Sequence, residues 1–203
     1  MSTEGPLAHL REHRDVIEAD LALLRERLAA GARVLDVGAG RGSFVKEARR
    51  QGFAALALEM DAGAIAVWSQ EGVPGFLGSG AMTPFVDACF DAVRMKEVLE
   101  HVEAPLTLVR EARRLLRPQG LLIFHTPTPY SQLYPVGNFW DDYTHVRPFS
   151  RAGLRRLIAD AGLQLAHIDS YVSGRNAVER ALGRLLARVF PHMYRGVAWR
   201  DGR

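Results

Sequence analysis

Short apolar runs alternate with amphipathic stretches along most of this chain. Runs of strand length predict strands at residues 34–37, 54–60, 72–77, 89–95, 121–124 and 163–168. Between them, apolar residues recur three or four positions apart, which predicts helices over 9–30, 44–50, 62–70, 105–117, 150–162 and 175–190. Residues 194–199 are the candidate for a closing antiparallel strand. The pattern therefore predicts an α/β fold: a doubly wound, seven-stranded, mostly parallel sheet with helices on both faces.

The length and composition of the chain suit one globular domain. It has 203 residues, of which 48% are hydrophobic and 24% are charged. We divide this single domain, residues 1–203, into four parts. They are an N-terminal helix (1–31), a core (32–128), a loop region (129–150) and a part with C-terminal helices and closing strands (151–203).

Charge and cysteine content exclude several classes of protein. Cys89 is the single cysteine, which excludes an internal disulfide framework. No run approaches the ~20 apolar residues of a membrane span, and the charged N-terminus does not have the pattern of a signal peptide, so a cytoplasmic location is expected. A net charge of +3 does not predict a nucleic-acid partner. The arginine face of the helix over 175–190 either rests on an anionic membrane or is solvated while the helix packs on the sheet.

The clearest chemical feature is the glycine-rich turn that follows the first strand. Gly38, Gly40 and Gly42 stand two residues apart, and glycine lets a ligand lie directly against the backbone. Asp36 precedes them at the strand end, and Ser43 is placed to cap the next helix. The turn therefore predicts a cofactor site, and two classes of cofactor use a turn of this kind.

The spacing of the glycines discriminates between those classes. A nicotinamide or flavin dinucleotide is typical of G-x-G-x-x-G, whereas this chain has G-x-G-x-G with Ser43 at the third glycine position. The carboxylate of Asp36 would repel a pyrophosphate and attract an ammonium group. The turn resembles the D-x-G-x-G-x-G motif of the class I S-adenosylmethionine-dependent methyltransferases. The resemblance implies a Rossmann-like fold, S-adenosylmethionine as cofactor and S-adenosylhomocysteine as product.

The remaining cofactor residues are assigned with the help of this resemblance. Glu59 ends the second strand, where an acid accepts hydrogen bonds from ribose hydroxyls in nucleotide-binding α/β folds. By resemblance, Met60 lies against the adenine, and the backbone of Met95 and Lys96 lines the methionine end. The segment that usually carries an acid for the adenine amino group has Ser79 instead, so that contact falls to Ser79 and the backbone after it. The cofactor-binding residues are expected to be Asp36, Gly38, Ala39, Gly40, Gly42, Glu59, Met60, Ser79, Gly80, Ala81, Met95 and Lys96.

The fourth strand runs into a segment that matches the L-E-H-V sequence of the methyltransferase family. Here Glu97, Glu100 and His101 form E-x-x-E-H, which resembles ubiquinone-pathway O-methyltransferases in which such residues are thought to hold a divalent ion. Oxygen donors suit Mg²⁺. The other interpretation is that Glu100 and His101 tie the loop to the following helix. We favour the second interpretation, and no metal ligand is assigned from the sequence.

The loop region is longer than an ordinary connection and rich in functional side chains. Loops of this length are often lids or binding loops. The other interpretation is that this loop folds back and its aromatic rings cover the end of the sheet. Its W-D-D-x-x-H-V-R-P-F-S run resembles bacterial methyltransferases associated with glycan and surface-polysaccharide biosynthesis. Histidine is the side chain best matched to general-base catalysis near neutral pH. His145 in the lid is our first candidate for the base, followed by His125 and Asp141.

These features lead to one preferred function and two alternatives. The preferred function is transfer of a methyl group to a small-molecule, sugar or lipid-linked glycan acceptor at oxygen. The first alternative is O-methylation of a quinone or lipid phenol at the membrane with a divalent metal. The second is a module that binds the cofactor without catalysis.

Overall fold

The computed structural model describes residues 14–133, 138–171 and 190–202. The helices are α1 (Arg14–Arg27), α2 (Ser43–Arg50), α3 (Gly63–Glu71), α4 (Pro105–Leu115) and α5 (Arg151–Asp160). The strands are β1 (Arg33–Val37), β2 (Ala54–Glu59), β3 (Gly75–Leu77), β4 (Phe90–Lys96), β5 (Leu116–Pro127), β6 (Leu163–Tyr171) and β7 (Met193–Arg200). Short 3₁₀ turns lie at Leu99–His101, Pro129–Leu133 and Phe139–Asp141. The helix expected over 175–190 lies outside the described residues, except for Phe190.

The strands form one seven-stranded sheet in the order β3-β2-β1-β4-β5-β7-β6. Neighbours among β1 to β5 are parallel, and β7 runs antiparallel to both β5 and β6. This confirms the predicted doubly wound, mostly parallel sheet. The chain moves outward from β1 to β3 and then crosses to β4 on the other side of β1. Ligands of open α/β sheets bind at such a reversal point, outside the carboxyl ends of the strands.

Helices cover both faces of the sheet because β1 is apolar on both sides. Val34 packs in a buried cluster with residues of α1, α2 and α3, and Leu35 packs in a second cluster with residues of α4 and α5. Burying one such side chain contributes about 1.5–3 kcal/mol. No helix in the described ranges has the length and apolar character needed to cross a bilayer.

Local differences from the sequence prediction lie at element ends. Ser43 is the first residue of α2 rather than its cap; the cap position is Gly42, with φ of 76° and no side-chain hydrogen bond. The side chain of Ser150 does cap α5, since its Oγ accepts from the N–H of Gly153 at 3.0 Å. β5 begins at Leu116, before the 121–124 run that predicted it.

A buried ionic network fixes α1 on the sheet. Arg94 on β4 is 2% exposed and donates to Asp20 of α1 at 2.8 Å and to Asp36 of β1 at 2.9 Å. Asp20 also accepts from Arg195 of β7 at 2.8 Å and contacts His125 Nε2 at 2.9 Å. Burial raises the pKa of Asp20, but the charge of Arg94 and the hydrogen bond with His125 outweigh it and keep the pKa below its ordinary value.

Candidate cofactor and acceptor site

The glycine turn lies at the carboxyl end of β1 in a conformation that glycine adopts without strain. Gly38, Gly40 and Gly42 have φ of 71°, 51° and 76°. The N–H of Gly38 donates to the carbonyl of Leu58 at 2.8 Å, which ties the turn to β2. A Cβ at Gly38 would lie 2.4 Å from Cγ2 of Val98, so the chain after β4 packs directly on the turn.

Glu59, at the end of β2, faces this turn. Its Oε2 accepts from the N–H of Gly40 at 2.9 Å, and its Oε1 accepts from the N–H of Met60 at 2.7 Å. A carboxylate has about four acceptor positions, so the same group retains capacity for hydroxyl donors. A carboxylate suits the ribose diol of a nucleoside, and the glycine-rich turn beside it leaves room for an amino-acid tail.

Asp36 has a different partner from the one that the sequence suggested. Its side chain is 1% exposed and pairs with Arg94, its register partner on β4. Strand alternation turns this carboxylate to the face of the sheet that α1 covers, because successive side chains of a strand point to opposite faces. Asp36 thus forms a buried ion pair beneath the turn, and its attraction for the cofactor ammonium stays a prediction.

The other expected cofactor residues lie along the same edge with different exposure. Met60 is 70% exposed, whereas Met95 is 1% exposed and contributes its side chain to the core. Ser79 Oγ accepts from the N–H of Ala81 at 3.2 Å. A Cβ at Gly80 would lie 2.4 Å from Val37 Cγ1, which places this segment against the end of β1.

Lys96 and Ala39 complete this set. The ammonium of Lys96 pairs with Glu97 at 2.5 Å. The N–H of Ala39 donates to the carbonyl of Leu58 at 3.2 Å, so this backbone group holds the turn to β2.

A second group of polar side chains gathers where the chain leaves β4. The 3₁₀ turn Leu99–His101 follows Val98, and the loop docks on it because the N–H of Val146 donates to the carbonyl of Glu100 at 2.8 Å. This bond brings His145 beside His101, with ring centroids 4.6 Å apart. Val98, which packs on Gly38, directly precedes the 3₁₀ turn that carries His101.

The electrostatics of this group are unusual. Glu100 is fully buried, and burial together with the charge of Glu97 raises its pKa to about 8. Burial lowers the pKa of His101, and the neighbouring His145 lowers it further. Thr126 donates to Glu100 Oε2 at 3.0 Å, but Glu100 Oε1 is buried without a hydrogen-bond partner.

The two other candidate bases lie in different environments. His125 is fully buried, with Nε2 on Asp20 and Nδ1 3.0 Å from the hydroxyl of Tyr171. These contacts make His125 part of the network that holds α1. Asp141 accepts from the N–H of Asn138 at 2.9 Å and completes the capping box of its own turn. His145 is the candidate that the fold brings beside the 3₁₀ turn after β4.

The sequence interpretation missed two sets of residues. Asp20 and Arg94 each occupy a buried position in a segment that is otherwise apolar on that face. A charged residue at such a position in each segment is the signal that could have predicted their ion pair. The closeness of Glu100 to His145 has no local signal, because 45 positions separate them in the sequence (145 − 100).

Comparisons with known proteins agree on the type of domain. A family model described as a methyltransferase domain matches residues 9–168. The chain is similar to a demethylmenaquinone methyltransferase of Mycobacterium tuberculosis, with 33% identity over 105 residues. That match covers 50% of this chain and 45% of the relative, so the chain spans about half the length of the curated relatives it matches.

Solved structures show the same fold. An S-adenosylmethionine-dependent methyltransferase of Archaeoglobus fulgidus superposes with a TM-score of 0.73 at 18% identity, covering 95% of this chain and 96% of that chain. An S-adenosylmethionine-dependent methyltransferase of Mesorhizobium loti gives a TM-score of 0.72 at 19% identity, covering 91% of this chain and 100% of that chain. At this level of identity the likeness is one of fold.

Proposed function

Because this chain belongs to the methyltransferase-domain family, in its class I form with S-adenosylmethionine as cofactor, we propose that it methylates an oxygen of a small-molecule, sugar or lipid-linked glycan acceptor. The observation that carries the proposal is the docking of His145 beside His101, on the 3₁₀ turn that follows β4 directly after Val98, the residue that packs on Gly38. One short segment thus packs on the glycine turn and carries a basic nitrogen.

On this proposal the cofactor residues divide the work of binding. Glu59 accepts from the ribose hydroxyls, and the backbone of the turn from Gly38 to Gly42 lies against the amino-acid tail. The segment from Ser79 to Ala81 lines the adenine with Met60, and the backbone of Met95 and Lys96 lines the methionine end. Bound S-adenosylmethionine supplies a methyl group on a positively charged sulfur, so the protein contributes chiefly alignment and removal of a proton.

His145 is the residue that we propose removes the proton of the acceptor hydroxyl. Its Nδ1 contacts the carbonyl of Phe139 at 2.5 Å, and a carbonyl accepts only, so Nδ1 carries the hydrogen in the neutral ring. The lone pair is therefore on Nε2, where it accepts a proton. A positioned general base contributes about 10²–10⁴-fold to the rate.

Exposed aromatic side chains of the loop support a ring-shaped acceptor. Trp140 is 57% exposed and Tyr143 is 96% exposed, although rings of this size bury well when a partner is present. Both flank Asp141 and Asp142, whose carboxylates suit hydroxyl donors. A sugar ring offers an apolar face for the aromatic rings and hydroxyl groups for the carboxylates.

A quinone or lipid phenol is the second candidate acceptor. It is favoured by the similarity to demethylmenaquinone methyltransferases, which act on a quinone according to their name. On this proposal the acceptor is reached at a membrane surface. Flotation of the protein with anionic vesicles, together with product release from short-chain quinols and none from glycosides, would favour it over a glycan acceptor.

The test has two stages. Calorimetric titration with S-adenosylmethionine measures cofactor binding, and release of S-adenosylhomocysteine is then followed with alkyl glycosides, sugar nucleotides and short-chain quinols. We expect release with an acceptor hydroxyl, and we expect His145→Asn to lower kcat at least about 100-fold while cofactor affinity is unchanged. An unchanged kcat in this variant would overturn the assigned base. Cofactor binding without product release from any of these acceptors would favour the non-catalytic module.

A further inference from the structure

Three potential metal-ligand atoms converge at the junction between the 3₁₀ turn and the loop. Glu100, His101 and His145 each offer one such atom, and the three atoms lie within 4.8 Å of one another. A tetrahedral zinc ion, with bonds of about 2.0–2.1 Å, holds its donors about 3.4 Å apart. Small side-chain rotations would therefore close this set around an ion.

The hydrogen bonds of both histidines present the same nitrogen for coordination. The hydroxyl of Thr144 donates to Asp142 Oδ1 at 2.6 Å, so its oxygen accepts from His101 Nδ1 at 2.8 Å. His145 Nδ1 donates to the carbonyl of Phe139 in the same way. Both neutral rings thus carry hydrogen on Nδ1 and a lone pair on Nε2. Metal-binding histidines typically donate their other N–H to a carbonyl or carboxylate in this way.

Glu100 supplies the oxygen donor of the set. Its side chain is fully buried, Thr126 holds Oε2, and Oε1 has no hydrogen-bond partner. A buried oxygen left without a partner is destabilising, and a cation at this position would supply one. The orphaned oxygen is evidence for a ligand that is independent of the spacing of the three residues.

We propose that Glu100, His101 and His145 form a site for a divalent cation of the zinc class, with two imidazole ligands, one carboxylate ligand and one open position. Two nitrogens and one oxygen suit Zn²⁺ or Co²⁺ better than Mg²⁺, which prefers oxygen donors. The set is not the E-x-x-E-H motif, because Glu97 pairs with Lys96 and His145 enters from the distant loop.

The open position on this ion would accept the oxygen of a methyl acceptor. Zinc lowers the pKa of a bound oxygen acid, so the hydroxyl proton would pass to water instead of His145. This role rests on the proposed function, whereas binding of the cation does not. The two proposals give Nε2 of His145 different tasks, and a metal titration separates them.

The experiment uses the full chain without a polyhistidine tag, treated with EDTA and then dialysed. Co²⁺ is titrated by visible absorption and Zn²⁺ by calorimetry, first on the unchanged protein and then on His101→Ala, His145→Ala and Glu100→Gln. The matched control is His167→Ala, which removes a histidine on β6 that pairs with Asp169 at 3.3 Å and lies outside the cluster. Calorimetry with S-adenosylmethionine on each variant tests whether it is folded.

We expect one Co²⁺ per chain with the intense bands of a tetrahedral site. Each histidine variant should lose at least about 100-fold in Zn²⁺ affinity, since changes to outer residues alone typically cost 10–100-fold. His167→Ala should bind like the unchanged protein. Absence of the Co²⁺ bands, or equal affinity in all variants, would overturn the site. If the unchanged protein binds the cofactor and no metal, the metal site is rejected and the proposed function stands. If it binds the metal and no cofactor, only the proposed function is rejected.

Discussion

At the residue scale, Glu59 is the acid that we propose holds the ribose of the cofactor. Glu59 contacts Gly40 at 2.9 Å and lies where ribose hydroxyls are bound in nucleotide-binding α/β folds. The acid therefore has a structural role in the turn, and the proposed function adds a binding role.

Replacing Glu59 with alanine should weaken S-adenosylmethionine binding at least tenfold, or about 1.4 kcal/mol, because two charge-assisted hydrogen bonds are lost. Calorimetry measures the change. Glu71→Ala is the control, since Glu71 is an acid whose partner is Lys46 on the surface. Equal affinity of the Glu59 variant and the unchanged protein would remove Glu59 from the site.

Gly38 is constrained by its own backbone and by a neighbour. Gly38→Ala should destabilise the protein by more than the roughly 1–2 kcal/mol of a left-handed alanine, because its Cβ would lie 2.4 Å from Val98 Cγ2. Gly31→Ala is the matched control, with φ of 81° and no atom within 4 Å of its Cβ. Urea unfolding gives both values.

Adding Val98→Ala to the Gly38 variant tests the cause of that difference. The second change removes the clashing methyl group and should return the cost of Gly38→Ala toward that of Gly31→Ala. A cost for Gly38→Ala no larger than that of the control would argue against close packing of Val98 on the turn.

At the element scale, α4 binds the loop after β3 at Thr83, just beyond the expected adenine contact at Ser79 to Ala81. Glu111 Oε1 accepts from the N–H and the hydroxyl of Thr83 at 2.9 and 2.7 Å, and Arg114 pairs with the same oxygen at 2.7 Å. One carboxylate thus joins the helix to the loop that begins after β3.

This contact predicts a pH dependence of stability. The hydrogen bond from Arg114 lowers the pKa of Glu111 from 4.5 to about 2. A depressed pKa means that the folded protein binds fewer protons than the unfolded chain, so stability is present above pH 4.5 and is lost as the pH falls toward 2. The contribution is up to about 3 kcal/mol.

The measurement compares Glu111→Gln with the unchanged protein by urea unfolding at several pH values. The difference in free energy of unfolding should be largest near pH 7 and should close as the pH falls to about 2. A difference that is constant over this range would mean that the charge of Glu111 does not stabilise the fold.

At the scale of the whole molecule, Arg94 connects elements that are far apart in sequence. It pairs with Asp20 on α1 and Asp36 on β1, and Asp20 in turn binds Arg195 on β7. Arg94→Met should cost about 3–5 kcal/mol, because two buried carboxylates lose this cation.

Lys46→Met provides the surface control for the Arg94 variant. Lys46 pairs with Glu71 at 2.8 Å, with side chains 48% and 38% exposed. A pair of this exposure contributes about 0–1 kcal/mol. Similar costs for the two variants in urea would show that the buried network does not hold α1 on the sheet.

The sequence by itself determined the strands, the alternation of helices and the glycine turn. These features depend on local periodicity and on glycines such as Gly38 and Gly42, which adopt the positive φ of the turn without strain. The motif also identified the cofactor class, which the family match confirmed. The facing of Glu59 toward the turn agrees with the interpretation of its position at the end of β2.

The tertiary structure decided which polar side chains meet. Asp36 pairs with Arg94 because the two are register partners on adjacent strands, and His125 is buried against Asp20 of a helix 105 positions away in sequence. His145 reaches His101 through a backbone bond between the loop and the 3₁₀ turn. These contacts depend on strand register and on how the loop docks, and both are set by the tertiary structure. Local sequence patterns determine neither of them.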